Sequence, residues 1–170
     1  MEEKDVIATL CKLEEMDRDA IGIYEDAIGK TADDETKRKL EEFRKDHERH
    51  VQAIGSVLRE QDWRHVEATQ EFRTLMQAYR REVDMAEGGD DAVVVAMDVG
   101  EKATNAEYAE ALRMDVDRRV RQVLQNDFAD EQRHLRFIES RMPPSLGGGV
   151  GRLHAEGGPG GRPAGSGSGD

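Results

Sequence analysis

Residues 1–142 of this chain contain no proline, and this absence most constrains what they can fold into. All four prolines lie beyond residue 142, and eleven of the seventeen glycines lie beyond residue 146. Within the proline-free part, apolar residues recur three and four positions apart, as on one face of an α-helix. The sequence therefore predicts an all-α domain over residues 1–142. Residues 143–170, rich in Gly, Pro and Ser, are predicted to be a flexible tail.

Four long helices and one shorter helix are predicted from this spacing. In chain order they run from about Lys4 to Ile28, from Asp33 or Asp34 to about Arg59, from about Glu67 to Met85, from after Asp90 to Leu112, and from about Val120 to just before Pro143. Gly29 is the predicted C-terminal stop of the first helix. Short links within the pairs and a long helical link between them predict a four-helix bundle with a helical crossover between long helices two and three.

Each long helix carries charged or imidazole side chains where its apolar stripe predicts core residues. These residues are Asp17 on the first helix, His47 and His50 on the second, Glu101 on the third, and Glu131 and His134 on the fourth. An unpaired buried carboxylate costs several kcal/mol, and neighbouring carboxylates repel. Because no lysine or arginine lies at the same level of these stripes, divalent metal ions are the simplest source of positive charge. The alternative is a polar core of salt bridges and hydrogen bonds.

The two halves of the chain repeat this pattern at a fixed offset in residue number. Asp17, Tyr24, His47 and His50 recur as Glu101, Tyr108, Glu131 and His134. Residues three apart share a helix face, so the last two of each set can point at one centre. The repeat predicts two helical hairpins that face each other around a shared metal site. Its two tyrosines either fill the core or hydrogen-bond a ligand carboxylate and tune the metal.

Two further aspartates lie close to the predicted ligands. Asp46 precedes His47, and Asp127 lies one turn before Glu131. Both are interpreted as hydrogen-bonding residues, with a role as secondary ligands as the alternative.

The repeated stretches resemble the ferritin-like superfamily, and most of all its rubrerythrin-like branch of small bacterial four-helix bundles of unassigned function. The resemblance covers residues 4–142 and is carried by Leu13–Tyr24, Asp46–Val51, Gly100–Tyr108 and Asp130–His134. It implies a di-iron centre, with manganese or zinc as alternative metals. In that scheme Asp17 and Glu101 are terminal ligands, Glu131 bridges the two ions, and the three histidines are nitrogen donors.

Two positions depart from the family pattern. His47 stands where the family has a bridging Glu, and Asp17 stands where the first helix of the family has Glu. Replacing a bridging carboxylate by imidazole removes one negative charge and one link between two ions. The six ligands could still hold two ions bridged mainly by Glu131, and a single ion is the alternative. Imidazole-rich ligation favours transition metals over magnesium and calcium.

The resemblance also implies a function. Ferrous ions would react with dioxygen or peroxide, which corresponds to ferroxidase or peroxide-scavenging activity. The alternative is a stress-linked bundle without turnover, in which a metal or a polar network stabilises the fold. A third interpretation is an assembly or cargo protein. The stretch Pro144–Leu153 resembles motifs that dock ferritin-like cargo inside encapsulin shells, and ferritin-like relatives often form homodimers.

Charge and hydropathy argue against two classes of partner. The formal net charge of -12 disfavours nucleic acid and anionic membranes. The longest strongly apolar run, Ala92 to Met97, is far shorter than the ~20 residues of a membrane-spanning helix. The acidic start of the chain lacks the basic and apolar regions of a signal peptide. A cytoplasmic protein is therefore expected.

Overall fold

The computed structural model describes residues 2–144, which form five α-helices. They are α1 (Glu3–Lys30), α2 (Asp34–Glu60), α3 (Gln70–Asp84), α4 (Asp90–Ala111) and α5 (Arg118–Ser140). This confirms the predicted all-α class for this range, with four long helices and a shorter one between α2 and α4. The predicted tail beyond Pro144, including the stretch that resembles an encapsulin-docking motif, lies outside the described residues.

The helix ends follow local hydrogen bonding, and one prediction about them is wrong. Of the two aspartates predicted at the start of α2, Asp33 is the cap, because its side chain accepts a hydrogen bond from the Thr36 backbone N–H at 2.8 Å. Gly29 does not stop α1, which continues to Lys30. The cap is supplied by Thr31 instead: its N–H and its hydroxyl both donate to the Ala27 carbonyl, at 3.0 and 2.8 Å.

The four long helices form a closed ring in the order α1, α2, α5, α4, and neighbouring helices are antiparallel. Between α2 and α5, Glu35 pairs with Arg141 near one end, and Glu60 pairs with Arg119 at 3.2 Å near the other. The short link between α1 and α2 and the link between α4 and α5 reverse the chain in the same way. One face of every long helix therefore points to a common central axis.

Helix α3 lies against the outer side of α1 and α4, from the level of Lys12 to that of Lys30. Near its start, the Lys12 ammonium lies 5.8 Å from the centroid of the Phe72 ring. At its end, the Lys30 ammonium donates to the Asp84 carbonyl at 2.7 Å. The predicted crossover thus returns the chain from the end of α2 to the level at which α2 began. The helical spacing predicts five apolar residues on the inner face of α3: Phe72, Leu75, Met76, Tyr79 and Val83. Four of them are buried, and Leu75 is the exception because half of it is exposed.

Tyr79 fixes α3 against α4 through an unusually close approach. Its ring lies on Gly100, where an added Cβ would come within 1.7 Å of the Tyr79 Cζ atom. Its hydroxyl donates to the Met97 sulfur at 3.4 Å. No other residue type fits at Gly100 without displacing the crossover, since buried rings have little room to shift.

The Gly100→Ala substitution is therefore expected to lower the free energy of unfolding by about 1–3 kcal/mol through overpacking. Urea denaturation followed by circular dichroism measures the change. Gly29→Ala is the matched control, because within the described residues nothing lies within 4 Å of the added methyl. That control should leave stability unchanged or raise it by about 0.5–1 kcal/mol, since alanine favours a helix over glycine. Equal effects at both glycines would contradict the Tyr79 contact.

The helices bury an apolar core and show no membrane span. In the part of the chain that the structure describes, no helix has a stretch long and apolar enough to cross a bilayer. The largest fully buried apolar side chains are Leu10, Leu13, Met16, Ile23, Leu40, Phe43, Ile54, Met97, Leu124 and Ile138. The central axis that these residues surround also holds the polar side chains that interrupt the stripes.

Candidate metal centre

All six predicted ligand residues lie together between the four long helices. Helix α1 contributes Asp17, α2 contributes His47 and His50, α4 contributes Glu101, and α5 contributes Glu131 and His134. None of them is more than 1% exposed, so solvent does not screen their charges. Each is placed there by the helical spacing that also buries its apolar neighbours.

Within the described residues, these side chains form two sets with the spacing that a metal ion requires. The first set is Asp17, His47, His50 and Glu131, and the second is His47, Glu101 and His134. In each set, one nitrogen or oxygen from every residue lies within 4.8 Å of the others. His47 belongs to both sets and therefore lies between two potential ion positions.

The first set is connected by hydrogen bonds to Asp17. His47 Nδ1 lies 2.7 Å from Asp17 Oδ1, and His50 Nδ1 lies 3.3 Å from the same oxygen. Glu131 Oε1 lies 3.5 Å from His47 Nδ1 and 3.4 Å from His50 Nδ1. The Asp17 carboxylate therefore holds both rings of α2 in place.

The second set is more loosely connected. His134 Nδ1 lies 3.9 Å from Glu101 Oε2 and 3.8 Å from Glu131 Oε1. Five buried atoms here have no hydrogen-bond partner within residues 2–144, and we call them open atoms. They are His47 Nε2, Glu101 Oε2, Glu131 Oε1, Glu131 Oε2 and His134 Nδ1. Because buried polar groups are rarely left unpaired, five such atoms on four neighbouring residues indicate a missing partner.

The two repeated tyrosines cross-link the halves of the bundle. Tyr24 on α1 donates to Glu101 Oε1 on α4 at 2.5 Å, and Tyr108 on α4 donates to Asp17 Oδ2 on α1 at 2.6 Å. Burial, reinforced by nearby carboxylates, raises the pKa of both phenols well above its usual value. Both phenols therefore stay protonated and donate hydrogen bonds. Each contacts a carboxylate of the predicted ligand set, which is one of the two roles considered for these tyrosines from the sequence.

Two aspartates hold the outer nitrogens of the histidines. Asp46 Oδ2 lies 2.9 Å from His134 Nε2, and Asp130 Oδ2 lies 3.3 Å from His50 Nε2. A carboxylate behind a histidine sets its tautomer and directs the other nitrogen inward, as in many metal sites. Asp46 is thus a hydrogen-bonding residue, as one of its two interpretations predicted, and Asp130 plays the equivalent role in the second half of the repeat.

Two arginines pair with the aspartates that contact the outer nitrogens of the histidines, and they were not predicted from the sequence. Arg49 and Arg133 each pair with both Asp46 and Asp130, with Arg49 3.0 Å and Arg133 2.6 Å from Asp130. Their equivalent places in the repeat were a usable signal, since both halves contain Asp-x-x-Arg-His. The arginines neutralise the outer aspartates, so the six inner residues must be balanced separately.

Asp127 is buried beside the site without belonging to either set. Its Oδ1 lies 3.9 Å from His50 Nε2, and its Oδ2 has no hydrogen-bond partner in the part of the chain that the structure describes. Burial raises the pKa of its carboxyl to about 7. The Asp127 carboxyl is therefore only partly ionised near neutral pH.

The two carboxylates near His50 are held ionised. Burial opposes ionisation of Asp17, but hydrogen bonds from His47 and His50 lower its pKa to about 2. Burial likewise opposes ionisation of Glu131, but the charges of the surrounding histidines lower its pKa. Glu101 differs, because burial and the Glu131 charge raise its pKa to about 8. Two of the three inner carboxylates are thus negative at pH 7.

Two imidazoles supply the matching positive charge when no ion is bound. Burial lowers the pKa of His50, but its contacts with Asp130, Asp17 and Glu131 outweigh this and raise the pKa to about 12. The pKa of His47 is also raised, because Glu131 and Asp17 outweigh burial. Burial lowers the pKa of His134, which stays neutral. The alternative considered from the sequence, a polar core of salt bridges and hydrogen bonds, can therefore also balance these carboxylates.

Comparisons with family models, with curated proteins and with solved structures find no match for this chain. The structure thus defines an all-α helical bundle with buried His, Asp and Glu groups that could hold metal ions.

Proposed function

We propose that this protein binds a transition-metal ion at the centre of its helical bundle. The observation that carries the proposal is the group of five open atoms on His47, Glu101, Glu131 and His134. Hydrogen bonding among charged side chains explains the geometry around Asp17 and His50, but it leaves these five atoms unpaired. A cation at that position would give each of them a partner.

The donor set supports a transition metal over magnesium or calcium. Imidazole nitrogens suit zinc, copper, iron and nickel, and carboxylates keep manganese among the candidates. Magnesium and calcium prefer sites built from oxygen alone. We propose iron as the physiological metal, on the strength of the ferritin-like resemblance of the repeated motifs.

The order of the helices along the chain also supports the ferritin-like proposal. Two antiparallel pairs joined by one long crossover, with Asp or Glu on α1 and α4 and paired ligands on α2 and α5, support membership of this superfamily. Bound iron would supply one-electron oxidation and reduction. The residues of the chain would hold it in a dry, enclosed position with Tyr24 and Tyr108 protonated beside it. Ferroxidase or peroxide-scavenging activity is the corresponding proposal.

Metal analysis tests the binding proposal directly. Protein purified without chelators, and metal-free protein reconstituted with Fe²⁺, Mn²⁺ or Zn²⁺ under anaerobic conditions, is analysed by elemental mass spectrometry after desalting. Retention of a stoichiometric transition metal is expected. Protein that retains no metal from any of these solutions would refute the proposal.

A bundle without turnover is the second candidate, and the charge balance favours it. His47 and His50 can offset Asp17 and Glu131 without an ion, so the polar centre is compatible with a purely structural role. Oxygen consumption on adding Fe²⁺ to the metal-free protein distinguishes the two. Catalytic oxygen uptake beyond the bound iron supports the oxidase, and iron binding without such uptake supports the structural role.

Metal affinity is expected to rise with pH up to about 8. Below this value a proton occupies Glu101, because burial and the Glu131 charge raise its pKa to about 8. Displacing the Glu101 proton makes the apparent affinity rise about tenfold per pH unit, and this contribution ends once pH exceeds its pKa. Release of the proton that His47 carries in the ion-free protein makes the rise steeper. Competition titrations against a chelator of known pH dependence, from pH 6 to pH 9, measure the slope. An affinity that is constant below pH 8 would contradict the involvement of Glu101.

A further inference from the structure

The two halves of the centre differ in how many of their ligand atoms are available. We propose that one ion binds tightly to His47, Glu101, Glu131 and His134, and that His50, hydrogen-bonded at both nitrogens, takes the place of a second ion beside Asp17. This inference rests on the proposed metal binding and specifies its position and stoichiometry. It replaces the pair of equivalent ions that the repeated motif suggests.

Each residue of the second set has one polar atom in a hydrogen bond to a surrounding residue and one open atom that faces the centre. Asp17 engages Nδ1 of His47 at 2.7 Å, which leaves Nε2 open. Tyr24 engages Oε1 of Glu101 at 2.5 Å, which leaves Oε2 open. In each case the hydrogen bond fixes the orientation of the side chain without using the atom that would bind the ion.

The same division applies to His134, and Glu131 adds two further open oxygens. Asp46 engages Nε2 of His134 at 2.9 Å, and Nδ1 is open. Glu131 on α5 has both oxygens open and lies 3.8 Å from that nitrogen through Oε1. Two imidazole nitrogens and two carboxylates from three helices are thus available, and four such ligands match the usual coordination number of a zinc site.

Asp17 and His50 offer no comparable atoms. Both oxygens of Asp17 accept hydrogen bonds, Oδ1 from the rings of α2 and Oδ2 from Tyr108 at 2.6 Å. His50 has a carboxylate at each nitrogen, Asp17 at 3.3 Å and Asp130 at 3.3 Å. An ion beside Asp17 must break several buried hydrogen bonds, whereas the five open atoms of His47, Glu101, Glu131 and His134 can bind an ion without breaking one.

His50 itself provides the charge that a second ion would supply. A ring with acceptors at both nitrogens carries two N–H groups and is therefore positive. Its neighbours Asp17 and Glu131 are the carboxylates that would otherwise face a metal in the first set. In this arrangement Asp17 is the outer carboxylate of His47, as Asp46 is of His134. Both nitrogen ligands are then oriented in the same way.

Titration of the metal-free protein with Co²⁺ and Zn²⁺ tests the inference. Elemental analysis and the visible absorption of bound Co²⁺ give the number of ions and their coordination. The expected result is one tightly bound ion with four-coordinate absorption. Two ions bound with affinities within about tenfold of each other would overturn the inference, because the cost of breaking buried charge pairs should weaken binding at one position only.

Two matched variants locate the ion. His134→Gln and His50→Gln remove buried imidazoles from equivalent places in the two halves of the repeat. His134→Gln is expected to weaken Co²⁺ binding by about 100-fold or more, and His50→Gln by less than about tenfold. The reverse order would place the ion beside Asp17 and overturn the inference. Circular dichroism verifies folding, and if either variant unfolds, the wild-type stoichiometry remains decisive.

The outcomes separate this inference from the proposed function. If the wild-type protein binds no transition metal, both are refuted. If it binds two equivalent ions, the proposed function stands and the inference fails. If it binds one ion whose affinity depends on His134 far more than on His50, both are supported.

Discussion

Replacement of Glu131 by Gln is expected to reduce transition-metal affinity by at least about 100-fold, beyond the range typical of outer-shell residues. Glu131 carries two of the five open atoms and is ionised despite complete burial. The substitution keeps the shape of the side chain but removes its negative charge and one potential metal-binding oxygen. Isothermal titration with Zn²⁺ or Co²⁺, backed by elemental analysis, measures the loss.

Asp127→Asn is the control for this experiment. Asp127 lies one turn earlier on the same helix, is almost as deeply buried, and belongs to neither set of ligands. Its raised pKa, about 7, means that the substitution removes less charge near neutral pH. Its metal affinity should stay within about threefold of the wild type, as for a residue outside the ligand shell. Equal losses of metal affinity in the two variants would contradict ligation by Glu131. They would show that affinity depends on the total negative charge in this region.

The second large effect is expected from Asp46→Asn, which should lower metal affinity by about 10- to 100-fold. Asp46 accepts a hydrogen bond from His134 Nε2 at 2.9 Å and also pairs with Arg49 and Arg133. The amide oxygen of Asn is a weaker acceptor than a carboxylate, so the contact that directs Nδ1 of the ring to the centre is weakened. Affinity by titration and ring protonation by NMR of labelled histidine together report the change.

Asp130→Asn provides the matched comparison, because Asp130 is the counterpart of Asp46 in the repeat and contacts His50 in the same manner. If the ion is bound through His134, this substitution should change metal affinity by less than about threefold. A loss as large as that of Asp46→Asn would indicate that both histidines bind metal. Folding is monitored in both variants, since each removes a partner of Arg49 and Arg133.

Much of the fold could be predicted from local patterns. The three-and-four spacing of apolar residues places all five helices, because burial of one face determines helix formation more strongly than individual propensities. Residue type indicated that α2 begins at Asp33 or Asp34, and the structure identifies Asp33 as the cap. The end of α1 could not be predicted in this way. Gly29 is the usual residue type for a helix end, but the helix is capped by Thr31, whose N–H and hydroxyl donate to the Ala27 carbonyl.

The candidate site was predicted in part. Polar residues that interrupt an apolar stripe identify Asp17, Glu101 and the paired residues of α2 and α5, because the helical period assigns them to the buried face. The outer layer was missed, since Arg49 and Arg133 occur in polar stretches where charged residues are unremarkable. Their role depends on reaching across to the opposite helix, and no periodicity within one helix encodes this contact.

The amino-acid sequence by itself determined the helices, their inward faces and the six residues that meet between them, because these depend on spacing along the chain. The tertiary structure decided how the polar atoms are paired. Tyr24, Tyr108 and Asp46 hold the outer atoms of their partners, and His50 is engaged at both nitrogens. The two halves of the site are nearly equivalent in sequence, but they differ in charge and in the number of ligand atoms that are free to bind an ion. The reason is that hydrogen bonds and buried charges depend on distances between helices.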